Sequence, residues 1–182
     1  MLRPVLVLIA LAALGVSASG CSSEDEPPAD YDAAVVRDGL AALFAGDHPE
    51  AQDSEAGACF AAAFTEDTTA GELREAGLLD ERYDVVADLP TLTPEVAEKW
   101  VDAQFACTDF VEESTRAQIK VTKGRLDPDA YAACLRGLMS DADLRAAVVE
   151  TLTGQWDGEH VSRLGAAQAD CVDHSRGTPA GG

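Results

Sequence analysis

The sequence predicts an all-α fold, a disulfide-stapled helical domain built from two related three-helix units. Three observations predict it. Beyond residue 30, no window alternates apolar and polar residues over the length of a strand, whereas apolar residues recur at spacings of three and four. Serine, threonine and aspartate stand repeatedly just before such runs, where helices take their N-caps. Four cysteines, Cys59, Cys107, Cys134 and Cys171, fall at matching places in two stretches of chain.

The first helix is expected over 31–45. Val35, Val36, Leu40, Leu43 and Phe44 lie at helical spacing, Asp30 offers an N-cap and Gly46 a stop. A second helix, about 53–65, carries Cys59. Thr69 with Glu72 three residues on is a capping box and opens the next. The stretch "ERYDVVADLPTL" has no helical period and reads as a loop or irregular turn. Thr93-Pro94-Glu95 then gives an N-cap with proline at the first helical position. On that helix Val96, Trp100, Ala103, Cys107 and Phe110 form one apolar stripe. Trp100 is therefore expected in the core.

The same order returns later. Cys59 in "GACFAAAF" corresponds to Cys134 in "AACLRGLM", and "TAGELR" to "SDADLR", with Ser140 and Asp143 as the second cap. Asp157-Gly158-Glu159 is a looser equivalent of Thr93-Pro94-Glu95. Thr93 precedes Cys107 and Asp157 precedes Cys171 by the same interval, and Ala103, Gln104 and Asp109 match Ala167, Gln168 and Asp173. The repeat units are about 53–110 and 127–174. The equivalent stripe on the last helix reads His160, Leu164, Ala167, Cys171 and His174. Trp156 falls in an interhelical loop, where packing over the end of the domain is the expectation.

Four cysteines allow three pairings, and the repeat selects Cys59–Cys107 and Cys134–Cys171. Ala56, Cys59 and Ala63 share a helical face, as do Tyr131, Cys134 and Leu138, so all four thiols are expected to point into the core. The bridges would close loops of about 48 and 37 residues and stabilise by about 4 kcal/mol each. Many of the apolar residues are alanine, so the core is thin and crosslinks compensate.

The chain has 182 residues and a net charge of -20. That length fits one domain or two very small ones. The charge excludes electrostatic binding of nucleic acid or of an anionic lipid surface. No metal site is expected: zinc motifs use close pairs, and only Cys171 and His174 approach one. No cofactor motif is present, since Walker, dinucleotide-binding, nucleophile-elbow and H-E-x-x-H patterns are all missing. No catalytic residue stands out. His48 sits in a turn-like loop, and His160 and His174 are about 21 Å apart along one helix axis.

The N-terminus reads "MLRPVLVLIALAALGVSASGC". Arg3 supplies a positive start, residues 4–16 an apolar run too short to span a bilayer, and Ala18, Ser19 and Gly20 lead into Cys21. This resembles the lipobox signal peptide of bacterial lipoproteins. The Ala-, Asp- and Gly-rich composition looks actinobacterial. The resemblance covers the first 21 residues. It implies removal of a lipoprotein signal peptide, 1–20, and a diacylglycerol on the Cys21 thiol, a palmitate-type lipidation. The mature charge would be -21, because only Arg3 is lost among the charged residues. An ordinary secretory signal cut at the same small residues would leave Cys21 a free thiol instead.

Residues 21–30 then read as a disordered acidic tether, 31–174 as the helical domain and 175–182 as a disordered tail. Two functions are carried forward. The first is a membrane-anchored extracytoplasmic lipoprotein, held at the outer face of the cell membrane through Cys21. Its domain would be a non-enzymatic binding or interaction module of the cell envelope with an unknown protein or ligand partner. The second is a secreted carboxylate-dependent hydrolase, which needs two carboxylates ~5 to 9.5 Å apart and a raised pKa on one.

Overall fold

The computed structural model describes residues 31–176; the leader, Cys21, the tether and residues 177–182 lie outside them. The described residues hold eight helices: α1 (Ala33–Ala45), α2 (Ala51–Glu66), α3 (Ala70–Glu75), α4 (Pro94–Cys107), α5 (Phe110–Thr122), α6 (Pro128–Leu138), α7 (Asp141–Leu152) and α8 (Glu159–Ser175). Among those residues the extended pairing is limited to one isolated bridge, Leu79 to Val85. The all-α, disulfide-stapled class is what the sequence predicts.

Caps place most of the boundaries. Thr69 accepts from the Glu72 amide while Glu72 accepts from that of Thr69, and Ser140 and Asp143 do the same on α7. Thr93 accepts from the Val96 amide, with Pro94 at the first helical position. α1 starts later than expected: Asp32, not Asp30, is its cap, accepting from the Ala34 and Val35 amides. At α8 the cap residue is Gly158, which has no side chain to offer. Glu150 of α7 substitutes, its Oε2 accepting from the Val161 amide at 2.9 Å. A Cβ on Gly158 would displace that carboxylate, so glycine leaves the room in which Glu150 caps the helix.

Each repeat unit contains one helix more than the sequence suggested. α5 is a separate helix: α4 ends at Cys107, Thr108 is extended (φ -138°), and Asp109 caps α5 through the Val111 and Glu112 amides. The stripe read through Phe110 is therefore broken, because Asp109 competes for the backbone and starts a new helix. α1 and α5 are each 13 residues long and opened by an aspartate. Each stands in front of a cysteine-bearing helix, so the units are α1–α4 and α5–α8.

Each unit has its own core. In the first, Phe60 stacks on Phe44 (ring centroids 4.2 Å apart) and lies 4.4 Å from Trp100, with Phe64 edge-on to Trp100 at 5.4 Å. α1 and α2 cross closely because Gly57 has no side chain; a Cβ there would sit 2.5 Å from the Ala41 carbonyl oxygen. The second core gathers Val111, Leu126, Tyr131, Leu135, Met139, Leu144, Ala167 and Cys171. Its one buried hydroxyl chain is satisfied: Gln168 Nε2 donates to Ser114 Oγ (3.1 Å), which lies 2.9 Å from the Tyr131 hydroxyl.

Candidate functional site

The bridges join the predicted partners. Cys59 bonds Cys107 and Cys134 bonds Cys171, with Cα separations of 5.7 and 5.5 Å. Each ties the second helix of its unit to the fourth. Their surroundings differ, and here the expectation that all four sulfurs are buried fails. Cys171 is fully buried and Cys134 and Cys107 are half-buried, but Cys59 is exposed. The face α2 turns inward is Gly57, Phe60, Ala61 and Phe64. The two phenylalanines bury far more apolar area than a thiol, so they set the rotation of α2, and Cys59 is left at its flank. Likewise Leu138 is 52% exposed and Met139 is buried in its place.

The junction of the two units is concave. A groove of about 770 Å³ lies between the α4–α5 and α6–α7 turns, with Phe105, Phe110, Val111, Met139 and Leu144 among its lining residues and Arg136, Asp109 and Asp141 at its polar positions. Phe105 and Phe110 stack in parallel, 6.0 Å apart. Arg145 lies 4.6 Å over the Phe105 ring. A second groove, about 650 Å³, shares Cys107, Thr108, Asp109 and Arg136 with the first and is also lined by Cys59.

Charge is distributed unevenly across this junction. Residues 31–108 carry 17 acids against 4 bases, and residues 109–176 carry 12 against 8. The bases of the second unit meet acids of the first. Arg116 reaches Asp53 at 3.0 Å and also pairs with Glu113; Lys120 reaches Glu50 at 3.2 Å; Arg145 reaches Asp102 at 2.6 Å. Asp53 is held below the usual carboxylate range by the Glu50 amide and then by Arg116. For Asp109, burial pushes upward, yet the Glu112 and Val111 amides and Arg136 outweigh it and the net direction is down. Arg116 is raised because Glu113 and Asp53 outweigh the cost of its burial.

The remaining candidates are scattered. Trp100 is buried, as expected. Trp156 does not pack: it is 69% exposed, because Leu152 fills the buried place in that connection and the turn at Gly154 (φ +74°) carries the chain back into solvent. His160 is half-buried, its Nδ1 2.8 Å from Glu150 Oε1, while His174 is exposed and the adjacent Ser175 takes the inward position. Glu150 is held below its usual range, first by His160 and then by the Val161 amide. The fold continues beyond the expected limit of 174. Ser175 Oγ donates to the Cys171 carbonyl at 2.6 Å, and its own carbonyl accepts from the Asp127 amide at 3.1 Å. No group of three or more metal-ligating side chains converges among the described residues. No helix among them is long and apolar enough to cross a membrane.

What sequence reasoning missed here is the junction itself. Part of its lining, Phe110 and Val111, comes from α5, which the repeat as first drawn did not contain as a separate helix. The available signal was Asp109, an N-cap residue in front of Val111 and Thr115. Comparison of the chain with family models, with curated proteins and with solved structures gave no match.

Proposed function

We propose that the chain is a membrane-anchored extracytoplasmic lipoprotein whose helical domain is a non-enzymatic binding module of the cell envelope. One observation carries the anchor. The two bridges consume four of the five cysteines in pairs within the fold, so Cys21 has no intrachain partner left and follows directly on a lipobox-like leader. Two bridges also suit an oxidising extracytoplasmic compartment. The binding role is supported by the junction groove, a concave surface where Phe105 and Phe110 stand among Arg136, Asp109 and Asp141.

The hydrolase reading has no comparable support. It needs a carboxyl held protonated near neutral pH. Every displaced carboxyl pKa among the described residues is displaced downward: Asp53, Glu72, Asp80, Asp109, Asp143 and Glu150.

The test is expression of the full chain and of Cys21→Ala in a bacterium that processes lipoproteins. The wild type should fractionate with membranes and yield an acylated N-terminal peptide beginning at Cys21, and the variant should be soluble. A wild-type N-terminus at another residue, or a variant still held in the membrane, refutes the anchor. Crosslinking in the envelope should then capture a partner at Phe110 or Arg136 rather than at the exposed Val35 of α1.

A further inference from the structure

We infer that the Cys59–Cys107 bridge is a thiol-exchange site, open to attack by an external thiol in the folded protein, whereas Cys134–Cys171 is purely structural. The inference goes beyond the binding role and does not depend on the anchor. It rests on two observations. First, the bridges differ in access: Cys59 is exposed, while in the other bridge Cys134 is half-buried and Cys171 has no exposed surface at all. Exchange requires a thiolate to reach one sulfur along the S–S axis, so access in the native state decides which bridge reacts. Second, Cys59 and Cys107 both line the open groove of about 650 Å³, which gives an incoming chain room beside the bond.

The chemistry balances with a dithiol as the reductant. A thiolate of the dithiol attacks Sγ of Cys59, the exposed residue of the pair. The S–S bond breaks and its electron pair leaves on Cys107 as thiolate. The second thiol of the reductant then attacks the mixed disulfide, releases Cys59 as thiolate and closes the reductant's own disulfide. Two electrons pass to the bridge, and the two protons given up by the dithiol end on Cys59 and Cys107. Opening the bond frees the last residue of α4 from α2 at the point where Thr108 and Asp109 lead into α5. The two junction grooves share those residues, so exchange would alter the shape of both.

The experiment treats the folded full chain with dithiothreitol or with reduced glutathione, quenches in acid, alkylates and maps peptides. Cys59 and Cys107 should become labelled more than about tenfold faster than Cys134 and Cys171, because Cys59 is exposed whereas Cys134 is half-buried and Cys171 fully buried. Glutathione, a monothiol, should be trapped on Cys59. Urea well below the unfolding transition should leave the Cys59 rate unchanged. Equal rates for the two bridges, faster reduction of Cys134–Cys171, an adduct on Cys107, or a Cys59 rate that climbs with urea would each overturn the inference.

Discussion

Replacing both Cys59 and Cys107 by serine removes the crosslink that closes the first unit. The bonded residues are 48 apart in sequence, and for a loop of that size the chain-entropy relation gives about 4 kcal/mol. The second bridge spans 37 residues, and the logarithm makes its entropic contribution nearly the same. Loop length alone therefore predicts equal losses for the two double variants. Burial separates them. Serine at position 59 faces water, whereas serine at position 171 places a hydroxyl at a site with no exposed surface among Leu135, Leu144 and Ala167. Even with its proton given to the Ala167 carbonyl, as Ser175 gives its own to that of Cys171, a hydroxyl in this apolar site costs about 1 kcal/mol. In urea melts followed by far-ultraviolet circular dichroism, with a slope of about 2 kcal/mol per molar, Cys59→Ser with Cys107→Ser should lower the midpoint by about 2 M. Cys134→Ser with Cys171→Ser should lower it further. A loss below about 1 kcal/mol for the first variant would refute the crosslink argument. A larger loss for the first than for the second would refute the role given to burial.

Three further outcomes follow from the packing. Gly57→Ala should destabilise by about 1–3 kcal/mol in the same melts, because the new methyl meets the Ala41 backbone carbonyl rather than a side chain that can turn away. Glu72 is held down to about 2 by Lys99 (2.6 Å) and the Thr69 cap, so its contribution is complete above the unfolded value of 4.5 and is lost as pH falls toward 2. Glu72→Gln should accordingly flatten the pH dependence of stability in that window, as acid titrations of the melting temperature would show. Leu152→Ala should cost about 2–4 kcal/mol and, in hydrogen exchange, lower protection across α2 and α4 of the first unit as well as in its own.

The helix starts were legible because their signals are local. Thr69, Thr93 and Ser140 each act on the amide three residues on, and the sequence contains both partners. The disulfide pairing was legible because a repeat constrains distant residues together. Facing was less legible. Cys59 and Leu138 lie on plausible apolar stripes, yet Phe60, Phe64 and Met139 outcompete them for the interior, and that competition is settled between helices. The cap of α8 was out of reach for the same reason. Its acceptor, Glu150, lies in the preceding helix, and Gly158 gives no hint of it. The grooves depend on how two units meet, which neither unit's pattern contains.

The two units are repeats with different solutions to one problem. In the second unit the third helix, α7, is 12 residues long; its counterpart α3 has 6 and then gives way to irregular chain. That irregular chain is not idle. It supplies Ala76, Leu78, Leu79, Tyr83 and Leu92 to the first core and lays Val85 against Gly39, where a Cβ would be only 2.7 Å from the valine side chain. α7 meanwhile faces both cores. Leu144 packs in the second, while Leu152, Val148 and Val149 pack against the first, and the Leu152 carbonyl accepts from the Leu92 amide at 2.8 Å. A helix apolar on two faces must be covered on both, so α7 is stable only between the units. Phe105, in contact with both cores, makes the same demand from α4. The units are thus fused through buried side chains on one side of the junction and held by Arg116–Asp53 and Lys120–Glu50 on the other. The ionic side is the one lined by the exposed Cys59–Cys107 bridge. Loosening that bridge would strain paired charges, which water can replace, before it disturbed the apolar seam, which water cannot.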